Sequence, residues 1–491
     1  MGMHTRRDVL TLGAVAGLAL TVPVARRVSA SSIIDDITAG LPEPPPTSPF
    51  VAPFSVPLTV PHVLKPVRTV GTTDYFEVAQ QEALAQILPG RKTLVWAYNG
   101  TVPGPSIPMK VGRTAKVTQT NRLRVATCVH LHGGRTPSDS DGHPLDQVLP
   151  GGSRVHTYPD QREYSPLWYH DHSIHDTGLK IWMGLAGRAL VTDPHERGLP
   201  LPKGAFDIPL TIFDRLFNAD NSLFYPLDDE GHVVRNGALG DVILVNGRPQ
   251  PRLAVKRRKY RFRLLNASNA RQYLLALDRE LPMVVVASEG SLMPKPVSVA
   301  QLPMGNAERY DVVVDFSSVP SGTRVVLRNL AGKGRTAQVM AFDVGGDAPD
   351  TSFVPTVLRD PIDIDPAAAV ATREFRFDRS NGGWTINGEF FDENRIDGFP
   401  RFGTTEIWVF ENRSGGWTHP VHPHLVPYRI LDRNGAPPKP WESGLKDTVM
   451  VGPNERIRVA LRFDSFRGLY AFHCHNAEHE DHDMMTQFQI V

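Results

Sequence analysis

The chain has 491 residues, enough for about three domains with sizeable cores, so a small disulfide-stapled scaffold is excluded. Hydrophobic residues make up 41% and charged residues 21%, and the formal net charge of +1 offers no basis for recognising nucleic acid or an anionic membrane. The 41 glycines and 43 prolines are unperiodic, which suits a turn-rich β protein, and Cys128 and Cys474, the two cysteines, exclude a cysteine-ligated iron–sulfur cluster or a Cys-rich zinc site.

At the N-terminus Arg6 and Arg7 precede an apolar run from Val9 to about Ala25, and Val28-Ser29-Ala30 fits a small-residue cleavage site. This pattern predicts a twin-arginine export signal over residues 1–30, with an N-terminal anchor helix as the alternative. The run is short and Gly/Ala-rich for a membrane span, so no stable span is expected once the signal is removed. The twin-arginine export machinery is then a partner, and the destination is periplasmic or extracellular. Residues 31–50 form a proline-rich leader expected to lie on the surface as a linker.

Beyond the leader, short runs rich in Val, Ile, Thr, Phe and Tyr alternate with Gly/Pro/Asn turns, as in Arg113–Val117, Arg324–Leu327, Glu406–Phe410 and Arg456–Phe463. Many short strands at this spacing predict an all-β protein of sandwiches or barrels. The best helical candidate is Glu77–Leu88. One linker is placed at Asp193–Pro200 and a second from Val344–Pro349 to about Thr372, giving segments 51–197, 198–365 and 366–491. The basic run Lys256–Arg263 reads as a strand with a solvated basic face rather than a nucleic-acid patch.

Eighteen histidines include four His-x-His pairs: His130/His132, His170/His172, His422/His424 and His473/His475. Chance alone gives on the order of one such pair. On a strand, residues i and i+2 share a face, so each pair can present two imidazoles to one metal centre. In His473-Cys474-His475 the thiol faces the opposite side, so one segment can ligate two different metal sites. The spacing continues from Cys474 to His479 and Met484. With His419 added, two imidazoles, a thiolate and a weak thioether make the ligand set of a blue-copper site. Zinc is the rival for Cys and His, and Met485 competes with Met484 for the axial place.

These motifs resemble those of three-domain multicopper oxidases: His-Leu-His-Gly-Gly from His130, Trp-Tyr-His-Asp-His from Trp168, His-Pro-Val-His-Pro-His from His419, and the long motif from His473 to Met484. Supporting stretches are Tyr98–Pro105, Tyr260–Asn266 and Lys446–Val449, so the likeness spans nearly the whole chain beyond the leader. The run from His132 to Gly142 is most similar to the spore-coat laccase, bilirubin oxidase and phenoxazinone synthase branch. The resemblance implies three consecutive cupredoxin-like domains and four copper ions. It places a type 1 copper on His419, Cys474, His479 and Met484. It places a type 2 copper on His130 and His422, and two type 3 coppers on His132, His170, His172, His424, His473 and His475. The cluster is then expected between the first and last segments, with the middle one a spacer that helps shape the substrate side.

Reducing dioxygen to water takes four electrons, while a phenol or aminophenol gives one at a time, so the implied array collects single electrons and delivers them together. Dioxygen and a small aromatic electron donor are the implied partners. Asp141 and Glu480 are the implied proton-delivering acids, with orientation of ligand histidines as the plain alternative. A metallo-oxidase of cuprous, ferrous or manganous ions, and a non-catalytic copper-binding envelope protein, are the competing functions. The 11 methionines form no dense cluster, which counts against copper detoxification. Among the remaining histidines, His175 and His482 are the candidates to support ligands; Trp417 reads first as a plain core residue, with a substrate-side wall residue as the alternative, and Cys128 as a small buried thiol.

Overall fold

The computed structural model describes residues 43–44, 47–228, 234–362 and 364–491. The export signal read over residues 1–30 and most of the leader lie outside the described residues, as do His4 and His232. The fold is all-β, three consecutive two-sheet domains. Among the described residues no helix is long and apolar enough to cross a membrane.

In the first domain Arg68–Val70, Thr73–Ala85, Thr114–Asn121 and Ser153–Tyr158 lie side by side, with Thr93–Tyr98 paired to Thr73–Ala85. Against them packs a sheet ordered Gly104–Lys110, Ala186–Thr192, Ser165–Asp171, Val129–His132. Thr114–Asn121 alternates half-buried and buried residues along its whole length, so one face joins Phe76, Val117, Leu131 and Tyr158 in the core. The last domain repeats the plan. Ala369–Ser380, Thr405–Asn412 and Arg456–Arg462 form the middle of one sheet, and Val449–Val451, His419–Pro423, Gly468–Cys474 and Met485–Ile490 form the other. The expected alternation holds here, with Ile457, Val459 and Leu461 turned inward.

Several expectations are corrected. Glu77–Leu88 is not helical: residues up to Ala85 belong to the strand Thr73–Ala85, which pairs in parallel with Thr114–Asn121 and antiparallel with Thr93–Tyr98. Two flanking strands outweigh its Ala, Glu and Gln propensities. Val344 and its neighbours are not linker but the end of Gln338–Asp347, and Ala369–Ser380 starts before Thr372. The leader is not wholly superficial, since Ser48 is buried and bonded to Asp241, and Glu43 pairs with Arg271 at 2.8 Å.

The basic run also departs from expectation. It divides into Arg252–Arg257 and Lys259–Asn266. Tyr260, Phe262 and Leu264 enter the middle-domain core, but Arg261 and Arg263 on the other face are buried too. The first domain covers that face with Tyr164 and Glu196, and both arginines pair with Asp311. A buried guanidinium is costly unless it is paired or hydrogen-bonded, as these two are.

Candidate metal centres

The strand Gly468–Cys474 serves two centres because its successive side chains leave on opposite faces. On one face Cys474 Sγ lies 3.4 Å from His419 Nδ1 and 3.7 Å from His479 Nδ1, and the two nitrogens are 3.2 Å apart. All three side chains are fully buried. His419 opens the strand His419–Pro423, and Ser414 Oγ, 2.7 Å from Nε2, turns Nδ1 towards the thiol. His479 rides on the short helix Ala477–Asp481, capped by the Asn476 side chain, which accepts from the backbone N–H groups of Glu478 and His479. Met484 shares the apolar cluster of Cys474, and its carbonyl accepts the Cys474 N–H at 3.1 Å. Met485 pairs instead with His473 across the strands, which sends its side chain to the His473 face.

On that opposite face eight imidazoles converge. Antiparallel pairing sets His130 beside His170 and His422 beside His473, and His132, His172, His424 and His475 follow each two residues on. The Nε2 atoms of His172, His424 and His473 form a triangle with sides of 3.1, 3.2 and 3.2 Å. His132, His170 and His475 converge in a second group, and His130 and His422, with His424, in a third.

The outer nitrogens explain the aim of these rings. His130 Nδ1 donates to the Asp141 carbonyl at 2.6 Å, His170 Nδ1 to that of Asp171 at 2.8 Å, and His422 Nδ1 to that of Asp447 at 2.7 Å. Each bond turns Nε2 inward. His132 is reversed: its Nε2 faces Thr448 Oγ1 at 3.1 Å and Asp447 Oδ1 at 3.3 Å, so Nδ1 points inward.

Two further carboxylates face the cluster. Asp141 Oδ2 lies 2.7 Å from His424 Nδ1, and Thr136 Oγ1 donates to its other oxygen at 3.0 Å. Glu480 spans two rings, with Oε1 3.1 Å from His172 Nδ1 and Oε2 3.0 Å from His473 Nδ1. Burial pushes the Asp141 carboxyl up to about 8, and pushes His170, His419 and His422 down to about 3. It also drives the Cys474 thiol well above its usual range, so ligation must displace its proton.

Comparison with known proteins gives the family. Three multicopper oxidase family profiles match residues 79–196, 210–340 and 363–491. The chain belongs to the multicopper oxidase family. It is 38% identical to a bilirubin oxidase of Albifimbria verrucaria over 85% of this chain and 76% of that one. It is 35% identical to a laccase of Bacillus subtilis over 87% of this chain and 96% of that one. A solved laccase from Pediococcus acidilactici superposes with a TM-score of 0.84 at 33% identity, covering 91% of the oxidase and 95% of that chain. The oxidase is thus an oxidoreductase with dioxygen as acceptor.

The residues present fit copper. His130 Nε2, His132 Nδ1, His170 Nε2, His422 Nε2 and both nitrogens of His475 are buried without a hydrogen-bond partner. Leaving one such group unpaired costs about 1–3 kcal/mol, and a metal that accepts the lone pair removes that cost. All twelve histidine, cysteine and methionine positions picked from the sequence, together with Asp141 and Glu480, lie at or beside the two centres.

Sequence reasoning missed Ser414, Asp447, Thr448, Arg309 and Trp384. Lys446–Val449 was a visible signal, but nothing in it shows which ring it supports. Trp384 stacks on His479 with ring centroids 4.1 Å apart, and Trp417 packs edge-on against Trp384 at 5.0 Å, forming a wall beside the Cys474 centre. His175 and His482 contribute to a cavity beyond Trp384. Cys128 is a buried free thiol.

Copper-free oxidase is expected to lose stability steeply as pH falls from 7 to 5. A buried imidazole with a lowered folded pKa binds fewer protons than its unfolded counterpart below about 6.5, so acid favours unfolding by up to about 1.4 kcal/mol per pH unit for each ring. Carboxyls raised by burial, such as Asp141 and Glu478, pull the opposite way, but the lowered imidazoles are more numerous. Urea midpoints of copper-stripped protein at the two pH values check this; a midpoint independent of pH contradicts it.

Proposed function

We propose that this exported oxidase takes single electrons from small phenolic or aminophenolic donors at the Cys474 centre and uses them to reduce dioxygen at the eight-histidine centre. The observation that carries this reading is the His473-Cys474-His475 junction, which joins the two centres through adjacent residues at the end of the strand Gly468–Cys474. Copper would supply the one-electron and dioxygen chemistry when bound: His419, Cys474 and His479, with Met484 beside them, would hold a type 1 ion, His130 and His422 a type 2 ion, and the other six histidines a type 3 pair. The protein holds the soft and imidazole donors at fixed spacing and walls the first centre with Trp384 and Trp417. Export rests on the Arg6-Arg7 pattern and the apolar run behind it.

Asp141 and Glu480 orient His424, His172 and His473 and stand where protons must arrive. Glu480→Gln keeps the size and loses the exchangeable acid. Oxygen uptake per bound copper is expected to fall by about a hundredfold with an altered pH profile. Unchanged uptake across pH, with full copper content, would end the proton-relay role.

A metal-ion donor is the second reading. Among the described residues, the clusters able to hold a metal all belong to the two buried centres, so no additional cation seat supports it. The envelope-protein reading has less support, because every ligand position is present. Oxygen uptake by copper-loaded protein over a panel of phenols, aminophenols, bilirubin and reduced metal ions tests all three. Turnover with the aromatic donors supports the proposal; turnover with metal ions alone, or with nothing, overturns it.

A further inference from the structure

A cavity of about 340 Å³ opens beside the Cys474 centre, lined among others by His175, Arg235, Arg379, Trp384, Phe390 and Asp483. That volume encloses about one substituted aromatic ring. Trp384 forms its inner wall: the side chain is buried, stacked on His479, and held by an Nε1–H bond to the Arg235 carbonyl at 2.6 Å.

The charges at the cavity are unequal in their engagement. The Arg379 guanidinium lies 4.8 Å from the Trp384 ring centre and has no carboxylate within ion-pair distance among the described residues. Arg235 lines the same cavity and donates Nη1 to the Gly382 carbonyl at 2.9 Å. The carboxylates are already committed: Asp481 accepts the N–H groups of Thr177 and Gly178 at 2.7 and 2.8 Å, and Asp483 sits 3.5 Å from His175.

We propose that this cavity seats an aromatic carboxylate, its ring against Trp384 and Phe390 and its anionic group at Arg379 with Arg235 alongside. The inference rests on the aromatic-donor reading and narrows it to acids over neutral phenols. A planar guanidinium with free donors suits a carboxylate, and the ring then lies one tryptophan away from His479. Two guanidiniums at the mouth also repel a cationic donor.

The test uses copper-loaded enzyme turning over a neutral phenol, with trimethoxybenzoate and its methyl ester as inhibitors that carry no oxidisable hydroxyl. The acid is expected to compete with the phenol about fivefold more tightly than the ester, the scale of a solvent-exposed charge pair. The gap should shrink with added salt. Arg379→Gln should close it, and Arg379→Lys should partly restore it. Equal inhibition by acid and ester, inhibition that is not competitive, or a gap unchanged in Arg379→Gln would overturn the proposal while leaving phenol oxidation intact. Calorimetric titration of the same two compounds into the enzyme reads the cavity even if no phenol is consumed, so a failed donor reading and a failed cavity reading remain distinct.

Discussion

Cys474→Ser is expected to abolish the blue absorption band and slow oxygen uptake by more than about a thousandfold. The thiol is the one soft donor among the three groups that converge there, with His419 and His479 nitrogens at 3.4 and 3.7 Å. A serine hydroxyl is nearly the same size, so the surrounding core of Phe472, Val421 and Met484 stays filled. What is lost is the thiolate, whose softness suits copper and whose bond gives the colour. The eight imidazoles on the other face keep their hydrogen bonds, so bound copper should drop by about one ion per chain rather than vanish. Metal analysis and the visible spectrum check this together. A variant that stayed blue, or consumed oxygen at the wild-type rate, would remove Cys474 from the centre.

Asp447→Asn is expected to weaken copper retention by about tenfold to a hundredfold, the scale for losing a group that orients a metal ligand. Asp447 accepts from Arg309 Nη1 and Nη2 at 2.7 and 2.6 Å, and all of these groups are buried. Its Oδ1 also faces His132 Nε2, which makes that ring present Nδ1 to the centre. An asparagine amide can donate to Nε2 instead, leaving the proton on Nδ1 and a donor where a ligand is needed.

Arg309 comes from the middle domain and reaches into both others, donating Nε to the Pro166 carbonyl at 2.8 Å as well as pairing with Asp447. The middle domain is therefore more than the expected spacer. Gly133, directly after His132, makes room for this: its φ is +79°, and a Cβ there would collide with the Asp447 carboxylate and the Arg309 guanidinium. Arg309→Met should cost about 3–5 kcal/mol by leaving Asp447 buried without its partner. Lys446→Met is the control, since Lys446 is equally buried against Glu289 and Glu308 but is not bonded to a ligand ring. It should lower the unfolding temperature and spare copper content. If Asp447→Asn kept its copper as well as Lys446→Met did, the pair would be structural only.

The ligands were legible in the amino-acid order because strand geometry is local. Residues two apart share a face whatever the rest of the chain does, so His130/His132 and His473/His475 announce shared centres, and Cys474 between two histidines announces a second one. The spacing from Cys474 to His479 and Met484 is equally local, because a short capped helix and one turn span it. The all-β class followed from short alternating runs, which are read the same way in any context.

Tertiary structure alone decided what covers each element. Glu77–Leu88 carries helix-favouring residues, yet its strand pairs with Thr114–Asn121, a partner far along the chain. Arg261 and Arg263, on an alternating basic run, are covered by the first domain through Glu196 and Tyr164. Arg309 and Asp447 stand 138 residues apart, and Trp384 meets His479 only across the last domain. Such pairs leave no local periodicity, because their energy comes from burial, charge pairing and ring contact created only once the domains pack.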